Sequence, residues 1–337
     1  MTFADVVTPL VERKDLSPAA ARALMEFLIS GEATDAQIGG ALLALRTKGT
    51  TVTELAAFAS VLRERALALP SVADGLVDTC GTGGGIPSFN LSTAGAIVAA
   101  AAGARVAKHG NRAVTSKCGA ADVLEAMGIG LDGDPESLLH RLERQGIVFL
   151  FAPAHHPAMR HVGRARRELG VRTVFNQLGP MANPAGARRQ LIGVYDPRMM
   201  RTMAEALKEL GCERALLVHG DDGLDEISPC GPSQTVRLWD GVVTVERVSP
   251  ATFGLDPVDP SALAPADDLA GAAAIVEEAV TDADSPRCRA LLPNAAATLW
   301  LAGVADGPAD GARLAREAVA SGAARAKLDV LRGSVPA

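Results

Sequence analysis

Apolar positions along the first 70 residues recur at helical spacing, and the punctuation between them is that of helix ends. Ser17-Pro18 pairs an N-cap hydroxyl with proline at the first helical position, and the apolar pattern runs on to Ile29 before Gly31. Thr34 with Gln37, and Thr51 with Glu54, have the capping-box spacing. The helices they open end before Gly49 and at Leu69-Pro70. From residue 75 the pattern changes. Short apolar runs at 75–80, 105–107, 147–151 and 215–218 read as strands, alternating with helical stretches such as those closed by Gly146 and Gly211. That βαβ rhythm predicts a mostly parallel central sheet flanked by helices. One hairpin interrupts it, 235–239 and 242–247 joined by Asp240-Gly241, the dipeptide of a two-residue turn. The last 70 residues return to helices. The expected fold is α/β, with a small N-terminal all-helical domain over residues 1–70 attached to a larger α/β domain over 71–337.

Composition adjusts this picture in three ways. The chain has 337 residues, 48% of them apolar but only 3% aromatic, with 34 glycines; its interior must be filled by Ala, Val and Leu with backbones close together. The formal net charge of −6 argues against nucleic acid as the main partner, while leaving room for a local basic pocket. The longest nearly uncharged run of small residues, 94–104, is about 11 residues, short of the ~20 that span a bilayer, so no membrane partner is expected. The N-terminus lacks a basic start followed by an apolar core, and the five cysteines are scattered without a CxxC pair. Both point to a reduced, cytoplasmic setting.

Candidate chemistry concentrates in three segments. Asp78-Thr-Cys-Gly81-Thr82-Gly83-Gly84-Gly85, followed by Ser88, Asn90, Leu91, Ser92 and Thr93, is a strand, a glycine loop and a helix N-terminus, which together make an anion site. It is neither the GxGxxG dinucleotide fingerprint nor a P-loop. Lys108-His109-Gly110-Asn111-Arg112, continuing through Ala113, Val114, Thr115 and Ser116 to Lys117 and then Ala120, supplies cations and hydroxyls able to wrap a polyphosphate. Asp221, Asp222, Asp225 and Glu226 put four carboxylates into six residues at the end of an apolar strand, a pattern suited to Mg2+ shared with substrate phosphates. Asp221 and Asp222 fit a surface turn as well as a metal site. Arg166 could clamp a carboxylate, and 175–184, with Pro180, reads as a hinge or wall. His155, His156 and His161 lack the spacing of a zinc site and read as pocket-lining residues.

In this order and spacing, GTGG…FNLSTA, KHGNRAVTSKCGAADVLEAMGI, RTVFNQLGPMANPA and GLDEIS resemble the anthranilate phosphoribosyltransferase family. The resemblance is close over residues 75–255 and looser over the N-terminal helices. It implies a helical domain hinged to the α/β domain and joined in space by helices from about 157–185. It also implies a homodimer formed through the helical domain, and a separate anthranilate synthase as a possible associate. The implied reaction joins phosphoribosyl pyrophosphate to anthranilate with Mg2+ as cofactor. The pyrophosphate donor would be held by Gly81, Gly84, Gly85, Ser88, Asn90, Leu91, Ser92, Thr93, the run from Lys108 to Ser116, and Ala120. Ser92, Asp225 and Glu226 would hold Mg2+. Anthranilate would meet Gly81, Asn111, Arg166, His109, His156 and Pro180, with Lys108, Asn111 and Arg166 the catalytic set. The chain departs from the family in the glycine loop, where Gly85 and Ile86 follow Gly84, the usual Asp is missing and the loop is one residue shorter, and at Ala120, where a phosphate-binding serine is usual. Relatives with another acceptor, including nucleoside phosphorylases, and non-catalytic paralogues are the competing readings.

Overall fold

The computed structural model describes residues 2–70, 74–112 and 118–333. Its elements are α1 (Phe3–Val11), α2 (Pro18–Ser30), α3 (Asp35–Lys48), α4 (Val52–Glu64), β1 (Val77–Gly81), α5 (Leu91–Ala101), β2 (Val106–Gly110), α6 (Ala120–Ala126), α7 (Pro135–Gln145) and β3 (Ile147–Phe151). There follow α8 (Ala152–His155), α9 (Arg160–Leu169), α10 (Val174–Met181), β4 (Arg189–Gly193), α11 (Met200–Glu209), β5 (Arg214–Gly220), β6 (Ser233–Trp239) and β7 (Val242–Val248). Helices α12 (Leu269–Thr281), α13 (Pro286–Ala302), α14 (Pro308–Ala320) and α15 (Ala323–Leu331) complete the chain.

The expected caps form. Ser17 accepts the Ala20 N–H, and Thr34–Gln37 and Thr51–Glu54 are reciprocal capping boxes. Asp240 (φ 49°) and Gly241 (φ 76°) make the left-handed turn of the hairpin. Helices α9 and α10 fall in the expected 157–185 stretch; beyond the expected elements the structure contains α1, the short α8 and β4, and it extends β2 through Lys108 and His109. Those two polar residues hid the strand's end because they are buried, at 3% and 5% exposure, where a polar pair normally marks a loop.

The sheet order is β3-β2-β1-β4-β5-β6-β7. The first five strands are parallel and the last two antiparallel. Strand order reverses between β1 and β4, which run in register from Val77 beside Arg189 to Gly81 beside Gly193. In an open parallel sheet, ligands sit outside the carboxyl ends of the strands at such a reversal.

One face of the sheet carries α5 and α12–α15, whose core includes Ile97, Leu291, Leu292, Ala295 and Leu299. Small residues set its spacing: a Cβ on Gly311 of α14 would stand 2.5 Å from the Ala296 carbonyl oxygen of α13. The other face is covered by α11 and α7, with α10 reaching β1, and against α11 packs a helical unit in which α9 and α10 join α1–α4. Leu28, Leu42 and Phe58 share an apolar cluster with Val162, Phe175 and Leu178. Glu54 pins this unit together. It is fully buried and accepts the Leu16 N–H (2.9 Å), the Thr51 N–H (2.9 Å) and the Lys48 ammonium (2.8 Å). Glu54→Ala leaves the buried Leu16 and Thr51 N–H groups without an acceptor and Lys48 with Asp15 alone, and should cost about 3 kcal/mol of stability, read by urea unfolding. A loss under ~1 kcal/mol would mean that water replaces the carboxylate.

Candidate active site

At the β1–β4 reversal, side chains give way to backbone. A Cβ on Gly193 would overlap the Asp225 carbonyl oxygen, and one on Gly81 would lie 3.1 Å from the Gly193 oxygen and 3.7 Å from Asp225 Oδ2. A Cβ on Gly85 would lie 2.5 Å from both the amide nitrogen and Oδ1 of Asp225. Hydrogen bonds lace the same pieces together: Thr82 N–H to Gly193 O at 2.8 Å, Ile86 N–H to Gly223 O at 3.0 Å, and Tyr195 N–H to Thr82 Oγ1 at 3.0 Å. Glycine loop and acidic turn are thus one packed assembly.

Helix α5 begins inside it. Its N-cap, Asn90, makes no side-chain cap bond and instead donates Nδ2 to Cys118 O at 3.3 Å. Ser88 Oγ donates to Phe89 O at 3.1 Å, Leu91 is buried, and the buried Thr93 Oγ1 has no hydrogen-bond partner. The Ser92 N–H goes to the Glu226 carboxylate. Lys108 turns inward from β2, donating Nζ to Thr79 O at 2.5 Å and to Ser92 Oγ at 3.1 Å. Burial and the neighbouring Asp225 charge push Glu226 up to about 8, with Lys108 opposing. Burial likewise raises Asp225, and it lowers Lys108 against the pull of Asp78, Cys80 and Glu226.

Two crowded carboxylates beside a serine hydroxyl are hard oxygen donors that a small divalent cation would relieve. Among the described residues no group of three or more His, Cys, Asp or Glu could hold a metal alone. That donor set fits Mg2+ completed by substrate phosphates rather than an all-protein cage.

On the other side of β1 and β2 the lining is neutral. His109 and His156 face each other with ring centroids 5.2 Å apart. Each ring bonds a backbone group, of Gly179 and Ala182 respectively, and each Nε2 is buried without a partner. The His109 N–H donates to Asp78 Oδ1 at 3.0 Å. Pro180 is buried beside them, its oxygen accepting from Gln190 at 2.6 Å. Arg166, half-buried on α9, lies 5.1 Å from the Phe175 ring centroid and has no ion-pair partner among the described residues.

Several candidates sit elsewhere. Arg112, expected on the donor, is instead bound by Asp122 (2.9 Å) and Glu125 (2.5 Å) on α6, because those carboxylates are its near neighbours on the surface. Asn111 is exposed and accepts the Arg112 N–H at 2.7 Å, so its amide serves its own loop. Ala120 opens α6 behind Gly110, whose added Cβ would lie 3.7 Å from it. Ala113, Val114, Thr115 and Ser116 lie outside the described residues. Asp221 pairs with Arg247, while Asp222 accepts from Leu224 N and Ser228 Oγ, so both build the turn. Sequence reasoning gave no role to Asp78, Arg172 and Tyr195. A lone Asp inside an apolar strand was the available signal for the first; nothing local marked the other two.

Residues 4–66 match the helical bundle domain of a glycosyl transferase family, and residues 73–325 match that family's a/b domain. The chain is therefore a two-part glycosyl transferase. An anthranilate phosphoribosyltransferase of Thioalkalivibrio sulfidiphilus is 47% identical, with 98% of each chain covered, and one of Myxococcus xanthus is 46% identical, also with 98% of each covered. The crystal structure of anthranilate phosphoribosyltransferase from Thermus thermophilus superposes with TM-score 0.91 at 40% identity, over 98% of each chain. A Saccharomyces cerevisiae anthranilate phosphoribosyltransferase in complex with PRPP and Mg superposes with TM-score 0.87 at 27% identity, over 99% of this chain and 98% of that one. The chain belongs to the anthranilate phosphoribosyltransferase family.

Burial and the neighbouring histidines hold His109 at about 3, and burial holds His156 at about 4, against an unfolded value near 6.5. The unfolded chain then binds more protons below pH 6.5, so stability is intact above that pH and is lost as pH falls toward 4. The loss should reach roughly 1 kcal/mol per histidine at pH 5.5. Denaturant unfolding between pH 5 and 8 checks this; His109→Asn/His156→Asn should flatten the dependence, and an unchanged slope would refute it.

Proposed function

We propose that this chain transfers the phosphoribosyl group of 5-phosphoribosyl 1-pyrophosphate to the amine of anthranilate, giving N-(5-phosphoribosyl)anthranilate and pyrophosphate for L-tryptophan biosynthesis. The observation that carries the reading is the meeting, at one strand-order reversal, of an uncapped helix N-terminus, a glycine loop and the Asp225–Glu226 pair, while Arg166 on α9 is a half-buried cation with no ion-pair partner among the described residues. Full-length relatives near 46% identity that bear this activity's name support it.

Ser92, Asp225 and Glu226 would hold Mg2+, whose role when bound is to draw charge from the leaving pyrophosphate. The chain's own residues do the rest. The glycine loop offers backbone N–H groups to phosphate oxygens, and the positive end of α5 adds its dipole. Lys108 holds a fixed cation beside Ser92, preorganised for negative charge that grows as the ribose C1–O bond breaks. The anthranilate nitrogen forms the new bond to C1. An aromatic amine is neutral near pH 7, so its proton leaves to solvent without a strong base. Arg166 binds the anthranilate carboxylate, while His109 and His156, both neutral, offer acceptor nitrogens and no competing charge. Holding both substrates aligned can account for up to ~7–11 kcal/mol of the barrier.

Residues 1–70 with 157–185 form the helical unit in this reading, and Val11 (69% exposed) and Leu43 on it suit a homodimer contact. The setting is cytoplasmic, and a separate anthranilate synthase would supply the acceptor. Among the described residues no helix is long and apolar enough to cross a membrane.

The test is direct: the protein with phosphoribosyl pyrophosphate, Mg2+ and anthranilate should consume anthranilate and yield the conjugate mass, whereas turnover only with another amine or base would favour a changed acceptor. Arg166→Ala should raise the anthranilate KM by about a hundredfold and that of the donor little, as expected for loss of a charge-assisted pair of ~2–3 kcal/mol. An equal rise in both would count against the assignment. Glu226→Gln should weaken Mg2+-dependent turnover at unchanged melting temperature; unaltered metal dependence would remove Glu226 from the metal site.

A further inference from the structure

Arg172 lies in the connection between α9 and α10, on the helical side and six residues after Arg166. Its carbonyl oxygen is held from α3 by Arg46 Nη1 at 2.5 Å. Its guanidinium crosses to the α/β side. There Nη2 donates to Gly84 O at 2.8 Å, and Cζ stands 3.8 Å from the ring centroid of Tyr195, the chain's single tyrosine. Room for it comes from Gly84, whose φ is +98° and whose added Cβ would overlap the guanidinium. Tyr195 is itself tied to Thr82, so the aromatic platform and the glycine loop move as one piece. A surface arginine ordinarily settles on a carboxylate, yet no ion-pair partner of Arg172 is found among the described residues; its rigid fork is spent on a carbonyl and a ring face.

The geometry points to Arg172 as a positioning residue that, from the helical unit, holds the glycine loop in the shape that binds the donor. This rests on the phosphoribosyl-transfer reading. Arg172 acts through Gly84 and Tyr195, so its loss should fall on the donor rather than on both substrates alike.

The experiment compares wild type, Arg172→Ala and Arg172→Lys by calorimetric titration with phosphoribosyl pyrophosphate and Mg2+, and by steady-state kinetics on anthranilate. Arg172→Ala should raise the donor Kd and donor KM about tenfold, with the anthranilate KM at saturating donor within twofold of wild type. Arg172→Lys keeps a donor for Gly84 O but not the flat stack, and should recover to about threefold above wild type. A donor Kd within twofold of wild type in Arg172→Ala, or equal rises in both KM values, overturns the inference. If Arg172→Ala does not fold, as judged by its thermal transition, Arg172→Lys decides: a threefold rise in donor Kd supports the positioning role and no rise refutes it. Absence of wild-type turnover would instead remove the phosphoribosyl-transfer reading, so the two failures are told apart.

Discussion

Everything at the site depends on one steric constraint: where β1 and β4 part, no side chain fits. Gly81 and Gly193 sit side by side, and the carbonyl oxygen of Asp225 fills the space that a Cβ on Gly193 would need. Because the backbone of the acidic turn is pressed onto the strand ends, its next residue, Glu226, reaches the first turn of α5 and takes the Ser92 N–H. The same contact brings Gly85 against Asp225. A sheet with larger residues here would keep its topology but would hold the glycine loop and the carboxylates apart, and the donor site would be two unrelated loops.

Charge is arranged on that frame in a way the overall balance of −6 conceals. The acidic excess is mostly solvated, but at the reversal two carboxylates are crowded enough for Glu226 to be pushed up to about 8. Lys108 is the resident compensation, buried and tethered to Thr79 and Ser92 rather than free to sweep the pocket. Such a site stores unfavourable electrostatics, which in the proposed reaction a metal–pyrophosphate complex would relieve. On the acceptor side the order is reversed. Two histidines are held neutral, and a single half-buried arginine supplies the only cation that the described lining residues present there. In the proposed reaction an anionic acceptor would be oriented by that one pairing instead of being held equally well in several poses.

Local rules carried much of the fold into view. Caps at Ser17, Thr34 and Thr51 and the Asp240-Gly241 turn depend on residues within a few positions of one another, and each forms as the sequence implies. β4 was illegible because 189–193 opens on Arg-Gln, and the partners that make Gln190 acceptable in a core, such as the Pro180 oxygen, lie in another element. β2 was cut short for the same reason: Lys108 and His109 look like loop residues until Thr79, Ser92 and Asp78 are set beside them. The glycine loop and acidic turn were legible as chemistry because their composition is extreme. Their contact was not, since it depends on two strands 112 residues apart meeting in register at Gly81 and Gly193.

The glycine surplus also acquires a sharper meaning. Much of it closes turns, as at Gly146 and Gly211 with positive φ. Gly84, Gly85 and Gly193 are different, because what excludes a side chain there is respectively a guanidinium, an acidic turn and a carbonyl oxygen. Each of the three therefore ties one moving part to another: the helical unit to the loop, the loop to the carboxylates, and the carboxylates to the sheet. A single side chain, Arg172, thus carries the first link from the α9–α10 connection to Gly84, and close backbone approach carries the next two, from Gly85 to Asp225 and from Asp225 to Gly193, where short-ranged contact leaves little slack.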